Sequence, residues 1–337
     1  MIAVDIHPRG AFFVGELGVG KEETLSYVPS DTLYAALISA WVAAGEPGPF
    51  VPAPLRVTSA FPRVGDLRLY PRPFVRINVA QSQRDELGKK LLKFEWCSER
   101  IFGLLLQGAD MTSLAHEDNF CGGNWYHPQE LAQLPALPYS KTFWKKGVVP
   151  HVALGRLDNA PNLFHTGRVI FAPGCGLWFG VECEADGAQE RLDHALGYLA
   201  DAGLGGLRST GHGAFTFTSS ETSLPLPTAP RERASGYAVT LSRYLPADAD
   251  QAATTLKAPH AVYKLVHVGG WCQDDTGHPW RRKQVRPVCE GSVIFCQGGV
   301  PGEIVNVVPD GVGYFGERPV LRYGLAFPVL VAKEALL

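Results

Sequence analysis

Between residues 203 and 215 the chain reads Gly-Leu-Gly-Gly-Leu-Arg-Ser-Thr-Gly-His-Gly-Ala-Phe. Gly203, Gly205, Gly206, Gly211 and Gly213 place five glycines in eleven positions, which frees the backbone to approach another group closely and to take positive φ. Arg208, Ser209, Thr210 and His212 add donors. Successive backbone N–H groups in such a loop can cradle an anion such as phosphate. No Gly-Lys-Ser/Thr closes the segment, so it is not a P-loop. It also follows a helix and precedes a strand, the reverse of the order a dinucleotide fingerprint requires. On spacing alone two readings stay open: an anion cradle, or a tight helix-to-strand connection that needs glycine only for its turns.

Three basic, acid-poor stretches accompany it. Residues 56–76 hold Arg56, Arg63, Arg68, Arg72 and Arg76; residues 139–156 hold Lys141, Lys145, Lys146 and Arg156 among Tyr139, Phe143 and Trp144; residues 281–286 hold Arg281, Arg282, Lys283 and Arg286. Such cations neutralise phosphates and such rings stack on bases, although a charge run can equally be a solvated face. The acidic counterpart is 182–201. Catalytic patterns are weaker. His116, Asp118, Cys121 and His127 match no zinc-ligand spacing, and there is no GxSxG elbow or HExxH. His212 could serve as a general base on an RNA 2′-hydroxyl with Arg208 stabilising the phosphorane. No acid/base partner stands near it in sequence, so a contact role is expected. No metal, cofactor or catalytic residue is assigned.

The elements that would position these groups follow from periodicity. Residues 30–44 form a helix with Leu33, Leu37, Ala40, Trp41 and Ala44 on one stripe, capped by Ser30 or Asp31. Strands are expected at 11–15 and 55–61. A second set, strand 176–183, helix 188–201, the glycine loop and strand 214–218, completes a βαββαβ order of the ferredoxin-like kind. The intervening 62–165 is too long for a structureless loop and must carry its own helix or hairpin, with 99–107 a candidate element. Residues 220–235, rich in proline, read as a linker. Beyond it strand-like runs at 237–245, 261–270, 291–296, 303–308 and 323–331 surround a weak helix at 247–257, a degenerate second unit of the same type. The chain therefore divides into 1–219, with its insertion, and 236–337.

The composition sets limits. At 337 residues and 46% hydrophobic the chain can bury a large core. Gly 37 and Pro 26 imply many turns. A net charge of -2 excludes a bulk electrostatic grip on nucleic acid, so any basic surface must be local. Seven cysteines without a CxxC pair suit reduced thiols in a cytoplasmic protein, and no apolar run is long enough to span a membrane.

Several segments in order resemble the RAMP proteins of type III-A CRISPR effector complexes, in particular the Csm subunit-four family. They are Pro-Ser-Asp-Thr-Leu-Tyr-Ala-Ala-Leu (29–37), Thr-Ser-Ala-Phe-Pro (58–62), Tyr-Pro-Arg-Pro (70–73), the glycine loop, Ala-Val-Thr-Leu-Ser-Arg-Tyr-Leu-Pro (238–246), Lys-Gln-Val-Arg-Pro-Val-Cys-Glu-Gly-Ser (283–292) and Arg-Tyr-Gly-Leu-Ala-Phe (322–327). The resemblance implies an α+β fold of two ferredoxin-like (RRM-like, RAMP) domains, with a long thumb-like insertion in the first and the glycine loop between its second helix and last strand. It also implies a noncatalytic antiviral-defence subunit that binds the 5′ tag of the CRISPR RNA and docks the large polymerase-like Csm subunit and the adjacent backbone RAMP subunit. Target RNA would be met only through the complex. Carried over by position, the tag would be lined by Gly203, Gly205, Gly206, Arg208, Ser209, Thr210, Gly211, His212 and Gly213, with Arg156 near the RNA backbone and Arg168 a looser candidate. The alternative within the superfamily is a metal-independent guide-processing endoribonuclease using His212.

Overall fold

The computed structural model describes residues 1–15, 22–45, 55–134, 142–156, 160–183, 188–224, 235–274, 276–311 and 319–337. The chain opens on β1 (Ile2–Pro8), which buries Ala3, Val4 and Ile6. The strand expected at 11–15 reduces to a single bridge from Phe12 to Val169. The polar residues that obscured β1 in the sequence are themselves paired: Asp5 accepts from Arg68 at 3.0 and 3.2 Å, and His7 accepts from Arg63 at 2.8 Å.

Next come α1 (Ser30–Ala43), β2 (Leu55–Val57), β3 (Phe61–Val64) and β4 (Leu67–Pro71). The long middle segment supplies α2 (Gln81–Lys93), β5 (Trp96–Ser98), α3 (Glu99–Gln107), β6 (Phe120–Cys121), β7 (Asn124–Trp125) and α4 (Pro128–Leu131). A hairpin, β8 (Trp144–Leu154) and β9 (Pro161–Phe171), follows, and then β10 (Cys175–Cys183), α5 (Ala188–Ala202) and β11 (Phe215–Glu221). One sheet runs β11-β1-β10-β3-β4-β5-β7-β6, with β2 also on β10. Its first four positions are antiparallel throughout. α1 and α5 pack together, burying Leu33, Leu37 and Trp41 from one and Leu192, Leu196 and Leu199 from the other. Most of the middle segment therefore extends the main sheet. Only β8–β9 forms a separate two-stranded ladder, of eleven register pairs.

The C-terminal region holds β12 (Ser235–Thr240), α6 (Ala249–Leu256), β13 (Trp271–Gln273), β14 (Pro279–Arg281), β15 (Val293–Gln297), β16 (Val305–Asn306), β17 (Leu321–Arg322) and β18 (Pro328–Leu330). β15-β12-β18 make a three-stranded sheet. The strand expected at 261–270 is instead a set of single bridges, Val262 to Val293, Leu265 to Val288 and Val268 to Val285. Pro259, Pro287 and the Gly269-Gly270 pair interrupt the ladder there, since proline lacks the donor and glycine the packing of a regular strand. The strands expected at 303–308 and 323–331 shorten to β16 and β18. Of the expected linker, Ser220, Glu221 and Ser235 lie in strands, and 225–234 fall outside the described residues.

The two parts share one core: Val239, Leu241, Val293, Tyr323, Phe327 and Val329 belong to the same buried cluster as Val4, Leu33 and Phe61. A buried ionic seam lies across it. Asp31 meets Arg322 at 2.6 Å and Arg243 at 3.4 Å, and Arg243 approaches Glu290 at 3.7 Å. Ser59 and Tyr27 donate to Glu290, and the Arg243 backbone donates to Ser30 Oγ at 2.9 Å. Ser30 and Asp31 thus do not cap α1, which has no side-chain cap; their oxygens serve the seam. Its acids and guanidiniums are almost wholly buried, so mutual pairing is what makes their burial tolerable.

Candidate nucleic-acid interface

The glycine loop is held from below by residues 9–14. Gly206 N donates to Phe13 O at 2.8 Å, Gly213 N to Ala11 O at 2.9 Å, and Leu204 N to Gly213 O at 2.9 Å. A Cβ on Gly205 would strike the Phe13 carbonyl, and one on Gly213 would strike the Leu204 carbonyl. These glycines are therefore required by close approach to the protein itself. Gly211 differs: it has φ 84 and nothing within 4 Å of where a Cβ would sit. Leu207 takes φ 58, the one non-glycine with positive φ among the described residues, a conformation that costs an L-residue about 1–2 kcal/mol. It turns the chain so that Arg208, Ser209, Thr210 and Gly211 all lie exposed on one short helical turn.

His212 is half-buried, with Nδ1 3.2 Å from Thr210 Oγ1. Because that hydroxyl donates to the Leu207 carbonyl at 2.8 Å, the ring donates to it through Nδ1.

Beside the loop is a cleft of about 520 Å³ lined by Arg9, Gly10, Arg168, Ile170 and Pro173 among others. The site for a Cβ on Gly10 lies 3.6 Å from the Gly211 carbonyl, so loop and cleft are continuous. Arg9 is exposed and loosely paired to Asp201 at 3.5 Å. Arg168 is exposed at the base of the hairpin, opposite Gly147. The structure thus sets Gly211 beside the cleft that Arg168 lines, with Arg208, Ser209 and Thr210 exposed on the turn that leads into Gly211. Arg9 and Gly10 line the same cleft and were missed in the sequence; the Pro-Arg-Gly run directly after β1 was the available loop signal.

Arg156 is elsewhere. It is exposed beyond the last hairpin pair, Leu154 with Pro161. Seven residues of strand separate that pair from the Gly147–Arg168 level, roughly 24 Å at strand rise. On the same hairpin Lys145 and Lys146 are exposed, as are Val148, Val152, Leu154 and Leu163. Lys141 and Tyr139 fall outside the described residues.

The basic stretch at 56–76 is structural rather than a phosphate surface. Arg56 pairs with Glu182 and lies over the Phe327 ring, Arg63 is buried against His7 and the Gly65 carbonyl, Arg68 grips Asp5, and Arg72 donates to the Leu92 carbonyl; of the five only Arg76 is exposed. Burial first, and the Arg63 charge second, hold the His7 imidazole below its ordinary value. Among the described residues no group of His, Cys, Asp and Glu converges to hold a metal, and His116 and His127 instead accept backbone N–H groups at helix starts. Burial raises the thiols of Cys97, Cys175, Cys289 and Cys296, the last to about 12, which leaves them packing groups. No described helix is long and apolar enough to cross a membrane.

The chain is similar to known proteins over nearly its whole length. Residues 233–331 match a family model described as CRISPR Csm4 C-terminal domain. The chain is 23% identical over 344 residues to the CRISPR system Cms protein Csm4 of Thermococcus onnurineus (strain NA1), covering 97% of this chain and 96% of that one. It is 28% identical over 326 residues to the protein of the same name from Mycobacterium tuberculosis (strain CDC 1551 / Oshkosh), covering 93% and 92%. Its fold matches a chain of a Csm3-Csm4 subcomplex from the type III-A CRISPR-Cas interference complex with TM-score 0.64 at 15% identity, covering 98% and 99%. It also matches a chain of a Csm1-Csm4 cassette in complex with AMPPNP with TM-score 0.54 at 20% identity, covering 98% and 97%. The resemblance read from the sequence is borne out.

Proposed function

We propose, for a chain that is Csm4-like from end to end, that it is the Csm effector subunit that holds the 5′ tag of the CRISPR RNA in antiviral defence. Its partners are then a Csm1 protein, as large polymerase-like subunit, and a Csm3 protein, as adjacent backbone subunit, the pairings in which its structural relatives occur. Target RNA is met through the complex, and the site of action is the cytoplasm. The strand order β11-β1-β10-β3 around α1 and α5 supports a ferredoxin-like first domain, and the β12, α6, β15, β18 set supports a degenerate second one.

The observation that carries the site is the exposed turn Arg208–Thr210 abutting the cleft with Arg9 and Arg168. A single-stranded end needs close backbone approach and a few guanidinium–phosphate pairs. Gly211 gives the first and three arginines the second. Base pairing reads the guide, so no base-edge code is required of the protein. The tag then lies across the glycine loop, and RNA continuing along the hairpin meets Arg156 at its far end. The subunit does no bond-breaking: no second acid/base group stands near His212 in sequence, which favours a contact role over guide processing.

The test is purification with the neighbouring effector subunits and sequencing of the bound RNA. Wild type is expected to hold a uniform 5′ repeat fragment, and Arg168→Ala with Arg208→Ala to weaken it and flatten its salt dependence, by a slope of about 0.7 per lost phosphate contact. An unchanged 5′ end and unchanged salt slope in the double variant refute the site. Repeat-RNA cleavage by the purified protein, abolished in His212→Ala, would install the nuclease reading instead.

A further inference from the structure

The basic stretch at 281–286 has no part in the glycine-loop site. It belongs to a ribbon in which residues 262–273 and 279–293 run antiparallel. Their contacts proceed from the Val262–Val293, Leu265–Val288 and Val268–Val285 bridges to the β13–β14 pair, Trp271 opposite Arg281 and Gln273 opposite Pro279. Alternation sorts the hairpin at its end. Trp271, Gln273, Pro279 and Arg281 are exposed, while Cys272 and Trp280 on the other face are half-buried. Trp271 is 50% exposed, with the Arg281 guanidinium 5.2 Å from its ring centroid. Lys264, His267, Lys283 and Arg286 are exposed along the same ribbon, and Tyr263 and Leu265 stand out beside Lys264.

The charge balance is one-sided. Among the described ribbon residues the acids are Asp274 and Glu290. Glu290 is buried in the seam with Arg243. Asp274 accepts from Thr276, His278 and Trp280, so it serves its own turn. Among the described residues Lys283 pairs with Asp310, exposed on both sides, a contact that salt or a phosphate displaces readily.

We infer that this ribbon is a second contact for single-stranded RNA, in which Trp271 stacks on a base and Arg281, Lys283 and Arg286 neutralise phosphates. A half-exposed indole between cations has the chemistry of a stacking platform on an electropositive track, tolerant of base identity because every base has a π-face. An acidic protein surface would match the cations but leaves the exposed indole without a role. The proposal uses none of the glycine-loop residues and stands whether or not they hold the tag.

The test is fluorescence anisotropy of the full chain with a labelled twelve-nucleotide single-stranded oligouridylate across a salt series. Trp271→Ala should weaken binding about tenfold, within the range for one lost stack, and Trp271→Phe should restore most of it. The triple variant Arg281→Ala, Lys283→Ala, Arg286→Ala should lower the salt slope by about 2, three contacts at about 0.7 each. Either effect should persist in an Arg208→Ala background, which separates this site from the loop. Wild-type affinity and slope in both Trp271→Ala and the triple variant would overturn the proposal. So would unchanged oligouridylate binding with loss of a co-purifying effector subunit, which would make the ribbon a protein contact.

Discussion

His7 shows how a single side chain can carry a measurable pH signature. Its Nδ1 accepts from Arg63 Nη2 at 2.8 Å and its Nε2 lies 3.3 Å from Thr218 Oγ1. Burial, then the Arg63 charge, lower its pKa, against a smaller upward pull from Asp5. The unfolded chain therefore binds the proton more readily than the folded one. This contribution to stability is complete above the ordinary value of 6.5 and is lost as pH falls from there through the lowered folded value. Melting temperature should drop over that window in the wild type, and His7→Gln, which keeps an acceptor for Arg63, should flatten the drop. An equal slope in both proteins would remove His7 as the cause. Leu207 is the second residue whose conformation matters. With φ 58 it stores backbone strain, and Leu207→Gly should leave stability unchanged or raise it by up to about 1 kcal/mol, measured by urea titration.

The glycine loop separates two uses of glycine that its sequence blends. Gly213 is needed because a Cβ would meet the Leu204 backbone, whereas Gly211 faces open space. Gly213→Ala should therefore lose several kcal/mol or fail to fold, while Gly211→Ala should cost about 1–2 kcal/mol for its positive φ alone. If both melt alike, the loop does not pack as described. The β8–β9 hairpin makes a different demand. Val148 and Val152 alternate along β8 on one face, with Leu163 opposite Val152, and all three are more than half exposed. Apolar groups left in water contribute little to folding, so replacing the three by Ser should shift stability by no more than about 0.5 kcal/mol. Under the proposed function the same change should weaken association with guide RNA or the neighbouring subunits, because clustered exposed apolar groups mark contact surfaces. A large loss of stability would show instead that the hairpin is packed down.

The molecule as a whole is joined by its seam. Segments that carry the family resemblance meet there: Ser30 and Asp31 from the first, Ser59 from the second, Arg243 and Glu290 from the fifth and sixth, and Arg322 from the last. Burial raises the Glu290 carboxyl, against the pull of Arg243 and Ser59, and lowers Arg282 to about 10, with the Arg322 charge adding to the effect. Removing one partner leaves the others buried without compensation. Arg322→Ala or Asp31→Ala should cost roughly 3–5 kcal/mol by chemical denaturation. A cost near zero would mean that water reaches the seam.

What could be read along the chain is what local physics determines. The stripe of α1, the apolar face of α5, the β10 run and the glycine loop were legible because helix and strand periods and positive-φ demands are written within a few residues of each other. β1 was missed because Asp5 and His7 break its pattern until Arg68 and Arg63, some sixty residues on, arrive to pair with them. Runs of arginine could not be sorted by sequence, since a guanidinium's role depends on its partner. Folding turned Arg56, Arg63, Arg68 and Arg72 inward, left Lys145, Lys146, Arg281, Lys283 and Arg286 facing water, carried Arg168 to the cleft beside the glycine loop and sent Arg156 to the far end of a hairpin. Charge pairing and burial are long-range properties of a packed chain, and only the tertiary structure decides them.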